Sequence, residues 1–203
     1  MSWASQLMTP PFDLVDSCAP AGLREPVVDF TSSFRSKRRA TFVVTAAPRR
    51  SNHETHLSTD FHVVRANAAR MVGTTSVWRG TARVAISDRE RTIVDALIHP
   101  SWIGGGRHLG EVLGPYRDSK EFDPVRLLSR LDEQQVGASY KRLGYFAEQL
   151  WPDQEKLIEH AHAKITTGTI RLDPGVKTHG KMCKRWGLWV NITIPRNEAH
   201  SDS

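Results

Sequence analysis

An α+β fold is predicted by the order in which the patterns occur along the 203 residues. Short β-branched apolar runs fill the first half, amphipathic segments with helical spacing follow, and a last β-branched run comes near the end. Strands first, then helices, then one strand is not the alternating order of a parallel βαβ protein. The expectation is a mixed, mostly antiparallel sheet built from the N-terminal half plus the C-terminal strand, packed with a bundle of four or five helices.

Taken in order, residues 1–39 carry Pro10, Pro11, Pro20 and Pro26 without a sustained period, and form an irregular lead-in apart from a short strand at Val27–Phe30. The first buried strand is Ala40–Ala46, ended by the turn residues Pro48 to Asn52, and Phe61–Arg65 is the second. Ser76–Ile86 reads as one continuous third strand. Alternation puts Val77, Arg79, Thr81, Arg83 and Ala85 on an exposed, basic face, with Trp78, Gly80, Ala82, Val84 and Ile86 on the apolar one.

The stretch Ala85–Pro100 joins the strands to the helices. Ser87 to Glu90 fits the S-x-x-E capping box, which starts a helix at Asp88, and Ile93, Val94, Leu97 and Ile98 make its apolar face before Pro100 stops it. Beyond a Gly104–Gly106 loop, a short helix around Leu109 to Leu113 ends at Gly114-Pro115. Asp123-Pro124 opens the next helix, with Val125, Leu128 and Leu131 inward and Leu127 on its flank. A helix from Gly137 buries Tyr140, Leu143, Phe146, Ala147 and Leu150, and one after Trp151-Pro152-Asp153 buries Leu157, Ile158 and Ala161. Thr169–Leu172 and Trp186–Ile194 frame a loop rich in glycine and lysine; the latter strand is expected to return to the first sheet. Residues 40–194 form the principal domain, and residues 195–203 are a disordered tail.

The chain is basic, with net charge +6 and pI about 9.6. Residues 1–84 hold 11 Lys and Arg against 6 Asp and Glu, so the front part carries most of the excess and favours an anionic partner. The two cysteines, Cys18 and Cys183, are far apart and form no C-x-x-C pair. No apolar run is long enough for a membrane span, and no secretory leader pattern is present, which places the protein in the cytoplasm without a membrane partner.

Chemistry-bearing groups divide into few sets. Asp88, Glu90 and Asp95 sit at the strand-to-helix junction, where paired carboxylates hold metals or transfer protons. Capping, the helix dipole and local pairing with Arg91 or His99 account for the same three residues, and no strand lysine of a nuclease site follows them. His53-Glu54-Thr55-His56 is not H-E-x-x-H, and Gly104–Gly106 lacks the G-K-[ST] of a phosphate loop. No metal or cofactor site is therefore expected. Two basic clusters remain, Arg35, Lys37, Arg38 and Arg39 with Arg49 and Arg50, and Lys177, Lys181, Lys184 and Arg185. They would form one surface for phosphate or an acidic protein if the final strand joins the first sheet. Trp102, Trp151, Trp186 and Trp189 are core candidates, any exposed one being an interface anchor.

The ordered series of residues resembles the C-terminal domain of the AbiEi family, antitoxins of the abortive-infection AbiE type IV toxin–antitoxin system. It comprises Phe42-Val43-Val44-Thr45 with Pro48-Arg49-Arg50, then Ser87-Asp88-Arg89-Glu90-Arg91-Thr92-Ile93-Val94-Asp95 and Gly104-Gly105. It continues through Asp123–Leu128, Lys141-Arg142-Leu143-Gly144-Tyr145, Leu172-Asp173-Pro174 and Arg185-Trp186 to Leu188-Trp189-Val190-Asn191. The resemblance implies a non-enzymatic antitoxin without a cofactor, which counteracts a cognate nucleotidyltransferase toxin in phage defence, with or without a stable complex. Family members usually carry a preceding winged helix that binds promoter DNA as an autorepressor. Residues 1–39 are too few and too proline-rich for a complete one, which separates the antitoxin role from that of a DNA-binding transcriptional regulator acting through basic patches.

Overall fold

A computed structural model describes residues 28–32, 40–48, 51–56, 59–79 and 81–194. The chain divides into two compact units, residues 1–92 and 93–203, the division falling within one helix.

The first unit is built on a six-stranded sheet. Its strands are β1 (Val28–Ser32), β2 (Ala40–Thr45), β3 (His53–His56), β4 (Thr59–Arg65), β5 (Thr74–Arg79) and β6 (Ala82–Ser87), in spatial order β3-β4-β2-β1-β6-β5. β1 with β6 and β2 with β4 pair in parallel, while the three hairpin-type pairs β1 with β2, β3 with β4 and β5 with β6 are antiparallel. The sheet is thus mixed and mostly antiparallel. Val43 pairs with Val63, both are buried, and Thr41 and Thr45 share their face, which marks it as the core side.

The expected third strand is a hairpin. Gly80-Thr81, a Gly-x pair of the kind that closes two-residue hairpins, separates β5 from β6. The two-residue turn breaks the alternation assumed across Ser76–Ile86. Val77 now opposes Val84 and Trp78 opposes Arg83, so Trp78 leaves the apolar face and stands 69% exposed.

Helix α1 (Arg89–Ile98) follows β6 directly and buries Ile93, Val94 and Leu97 as its spacing predicts. In the second unit, α2 (Gly106–Arg117), α3 (Pro124–Gln134), α4 (Gly137–Leu150) and α5 (Glu155–Ala163) form the helical layer, with α4 packed on α5 and on α2. The Asp123 carboxylate caps α3, accepting from the backbone N–H groups of Val125 and Arg126 at 3.0 Å each. Leu127 and Leu131, four apart, are fully buried, while Val125 is 75% exposed. The stripe is therefore rotated from the expected one, because Leu127 and not Val125 carries the burial.

Helix α2 does not stop at Gly114-Pro115 but runs to Arg117. Pro115 in the last turn lacks only one donor, and the N–H of Asp118 closes the turn on the Gly114 carbonyl at 3.2 Å. Tyr116, Phe122 and Trp151 then form a ring cluster with centroids 5.3 to 6.2 Å apart. Trp102 and Trp186 are buried as expected, and Trp189 is half-buried.

The last strand does not return to the first sheet. β9 (Leu188–Val190) pairs in parallel with β7 (Ile170–Arg171) and antiparallel with β8 (Lys181–Cys183), making a separate three-stranded sheet in the order β7-β9-β8. Gly187, at φ 60°, turns the chain between β8 and β9. Closing this short hairpin costs far less loop entropy than reaching a sheet more than a hundred residues upstream.

Candidate functional site

The junction residues serve the start of α1. Asp88 is the cap: its Oδ1 accepts the backbone N–H of Arg91 at 2.8 Å, and its own N–H donates to the Gly73 carbonyl at 2.8 Å. This moves the cap one residue on from the expected Ser87. The Ser87 hydroxyl is instead buried with no hydrogen-bond partner. Arg91 is buried, and its guanidinium donates to the carbonyls of Arg70 and Val72 at 2.5 and 3.0 Å, tying the segment ahead of β5 to the helix. Glu90 and Asp95 are buried, Arg89 and Thr92 half-buried. Among the described residues no three His, Cys, Asp or Glu side chains come together in a way that could hold a metal ion.

In the second unit, motifs separated by up to 87 residues in sequence converge on one interlocked set. Gly104 and Gly105 take φ values of 93° and 111°, which glycine alone adopts without strain, and deliver the backbone to the start of α2. There Oδ2 of Asp173 accepts the Gly106 N–H at 2.8 Å, while Oδ1 accepts from Gly175 at 2.8 Å. A Cβ on Gly105 would lie 2.7 Å from that carboxylate. The glycine loop thus receives a carboxylate of its own chain where a phosphate loop would receive its ligand. Asn191 holds the back of the Asp173 segment: its amide donates to the carbonyls of Asp173 and Val176 at 2.7 and 2.9 Å, and its Oδ1 accepts the Asp173 N–H at 3.0 Å.

Arg142 links this knot to α1. Its Nη1 donates to the Leu97 and Ile98 carbonyls at 2.8 and 3.2 Å, its Nε to Leu172 at 3.0 Å and its Nη2 to Arg171 at 3.2 Å. The guanidinium therefore satisfies the C-terminal carbonyls of α1 and the outgoing backbone of β7 together. Burial pulls its pKa down to about 10, and the nearby Asp173 carboxylate opposes the shift. Adjacent to it, Lys141 donates to the Gly168 carbonyl at 2.6 Å. Gly144 leaves room for the Trp186 ring, whose Nε1 donates to Glu148 at 2.6 Å.

The expected basic surface is met only in part. Arg35, Lys37, Arg38, Arg39, Arg49 and Arg50 lie outside the described residues. Lys177, Lys181, Lys184 and Arg185 are exposed, but they belong to the second sheet and its turns, so the strand pairing that was to unite the two clusters is not made. Arg185 pairs with Glu148 at 2.6 Å and lies over the Trp186 ring, so it is committed locally.

One polar cluster has no counterpart in the sequence reading. Asp132 at the end of α3 accepts from Tyr140 Oη at 2.8 Å and lies 3.1 Å from His160 Nε2 and 2.7 Å from Lys164 Nζ. Partial burial raises the Asp132 carboxyl, but hydrogen bonds from Lys164, His160 and Tyr140 outweigh it and leave the pKa below 3.8. Burial, then the Asp132 carboxylate, pushes the Tyr140 phenol well above its ordinary 10. Only the spacing of His160 and Lys164, four apart on one helix face, hinted at this; Asp132 and Tyr140 come from two other helices. The arrangement ties three helices together, with the carboxylate already matched by an ammonium. No family model matches the chain, and no curated protein or solved structure matches it.

Proposed function

We propose that the chain is an AbiEi-like antitoxin that counteracts a cognate nucleotidyltransferase toxin without catalysis of its own. The observation that carries the reading is the ordered series of residues from Phe42 to Asn191 that resembles the family's C-terminal domain. The roles of those residues support it: Gly105, Arg142, Gly144, Asp173, Trp186 and Asn191 are engaged with backbone and with one another, as in a scaffold. A scaffold of this kind leaves function to surfaces, and Lys181 and Lys184 are exposed together beside β9.

The test is co-expression of the chain with the nucleotidyltransferase toxin encoded beside it. Growth should recover when the chain is present, and absence of rescue by a soluble, folded chain overturns the reading. Co-purification of the two proteins separates antagonism by binding from antagonism exerted on the toxin's target. A second reading, a DNA-binding autorepressor, draws on the exposed Lys181 and Lys184. It predicts a gel shift of the upstream promoter duplex that fades steeply as salt rises.

A further inference from the structure

The face of the six-stranded sheet opposite its valine-lined core side carries rings and a guanidinium. Asp29 pairs with both Val43 and Ile86, which assigns Ile86 to the core side. Alternation then puts Phe42 and His62 on the opposite side, together with Arg83 and its cross-strand partner Trp78. His53 pairs with His62, and His62 with Phe42, so three rings from three adjacent strands form a row. Phe42 and His62 are stacked at 5.1 Å with their planes 20° apart, and His53 meets His62 edge-on at 4.9 Å.

The outer positions of this face are open. His53 is exposed at one edge and Trp78 is 69% exposed at the other, with the exposed Arg83 opposite it. An exposed tryptophan has a large apolar surface that water solvates poorly, and a folded chain rarely leaves one uncovered without use. Trp78 lies about 14 Å across the sheet from Phe42 at the ~4.8 Å strand spacing, a span of a few nucleotides. Asp60 also lies on this face, but its carboxylate is engaged by the Thr55 hydroxyl at 2.8 Å and by His53 at 3.9 Å. The surrounding residues 1–84 carry 11 basic against 6 acidic side chains, so the local field attracts phosphate.

We infer that this sheet face binds single-stranded nucleic acid, with a base stacked on Trp78, the adjoining phosphate on Arg83 and further bases along the His53–His62–Phe42 row. Flat rings on an open sheet with a guanidinium beside them suit unpaired bases, whose faces a duplex keeps covered. A duplex would offer its phosphates alone. The inference is independent of the antitoxin reading, since it is tested by binding and not by growth.

The experiment measures fluorescence anisotropy of a short labelled oligothymidylate, of the matching oligouridylate and of a duplex of equal length, with the full chain at low salt. Both single strands should bind more tightly than the duplex, and the ratio of the two distinguishes DNA from RNA as the preferred source. Trp78→Ala should weaken single-strand binding about tenfold or more. Trp78→Phe should recover most of it, and Arg83→Gln should lower the salt dependence by about one phosphate contact. Lys156→Gln, on the exposed side of α5, should leave binding unchanged. Absence of binding, equal affinity for the duplex, or unchanged affinity of a folded Trp78→Ala chain would each overturn the inference.

Discussion

The Asp173 carboxylate accepts the Gly106 backbone N–H at 2.8 Å and thereby joins the loop after β7 to the first turn of α2. One oxygen serves the orphan donor of a helix start and the other serves Gly175, while the charge faces the buried Arg142. Asp173→Ala should destabilise the chain by about 2–4 kcal/mol, since two buried donors and a guanidinium lose their partner. Asp173→Asn, which keeps one acceptor, should cost less. Urea unfolding of the two variants checks the order, and equal stability of Asp173→Ala and the parent chain would refute it.

Gly144 and Trp186 are matched by shape. A Cβ at position 144 would collide with the six-membered ring of Trp186, which is fully buried. Gly144→Ala is expected to cost about 1–3 kcal/mol by overpacking although alanine is the better helix former. In a double-mutant cycle with Trp186→Leu the cost of Gly144→Ala should shrink, because the smaller side chain vacates the collision. Additive losses would show that the two residues are not coupled.

Ser87 and Asp88 give opposite expectations for adjacent side chains. Asp88→Ala removes the cap of α1 and should cost about 1 kcal/mol. Ser87→Ala removes a buried hydroxyl that has no partner and should be neutral or slightly stabilising. Had the capping box formed at Ser87, the order would be reversed, and thermal melting of the two variants decides it.

The Asp132 cluster sets a pH window. Its folded pKa is depressed below 3.8, so the stabilisation is fully present above that value and is lost as the pH falls through the lower, folded one. The Tyr140 phenol is raised above 10, so its contribution is intact below that value and disappears as the pH climbs past it. Asp132→Asn should therefore flatten the acid limb of a stability–pH profile, and Tyr140→Phe the alkaline limb. A profile unaltered at both ends would sink this assignment.

The signals that survived from sequence to structure were local ones. Asp123-Pro124 capped α3 as read, because a cap needs only its own next three residues. The apolar faces of α1, α4 and α5 were legible for the same reason, each being set by spacing within one helix. Local signals failed where two adjacent residue types competed for one role. Asp88 took the cap from Ser87, Leu127 took the burial from Val125, and Gly80-Thr81 turned one apparent strand into two.

What the sequence determined by itself was the α+β class, the order of strands and helices, and the basic excess of the front part. These depend on composition and on periods of two or 3.6 residues, which a linear chain displays directly. Tertiary structure alone decided that the final strand closes a second, separate sheet, that Trp78 stands beside Arg83, and that Gly106, Arg142, Asp173 and Asn191 meet. Those outcomes turn on loop closure, strand register and the satisfaction of buried backbone groups by distant side chains. Each is a pairing between remote segments, and no single window of sequence contains both partners.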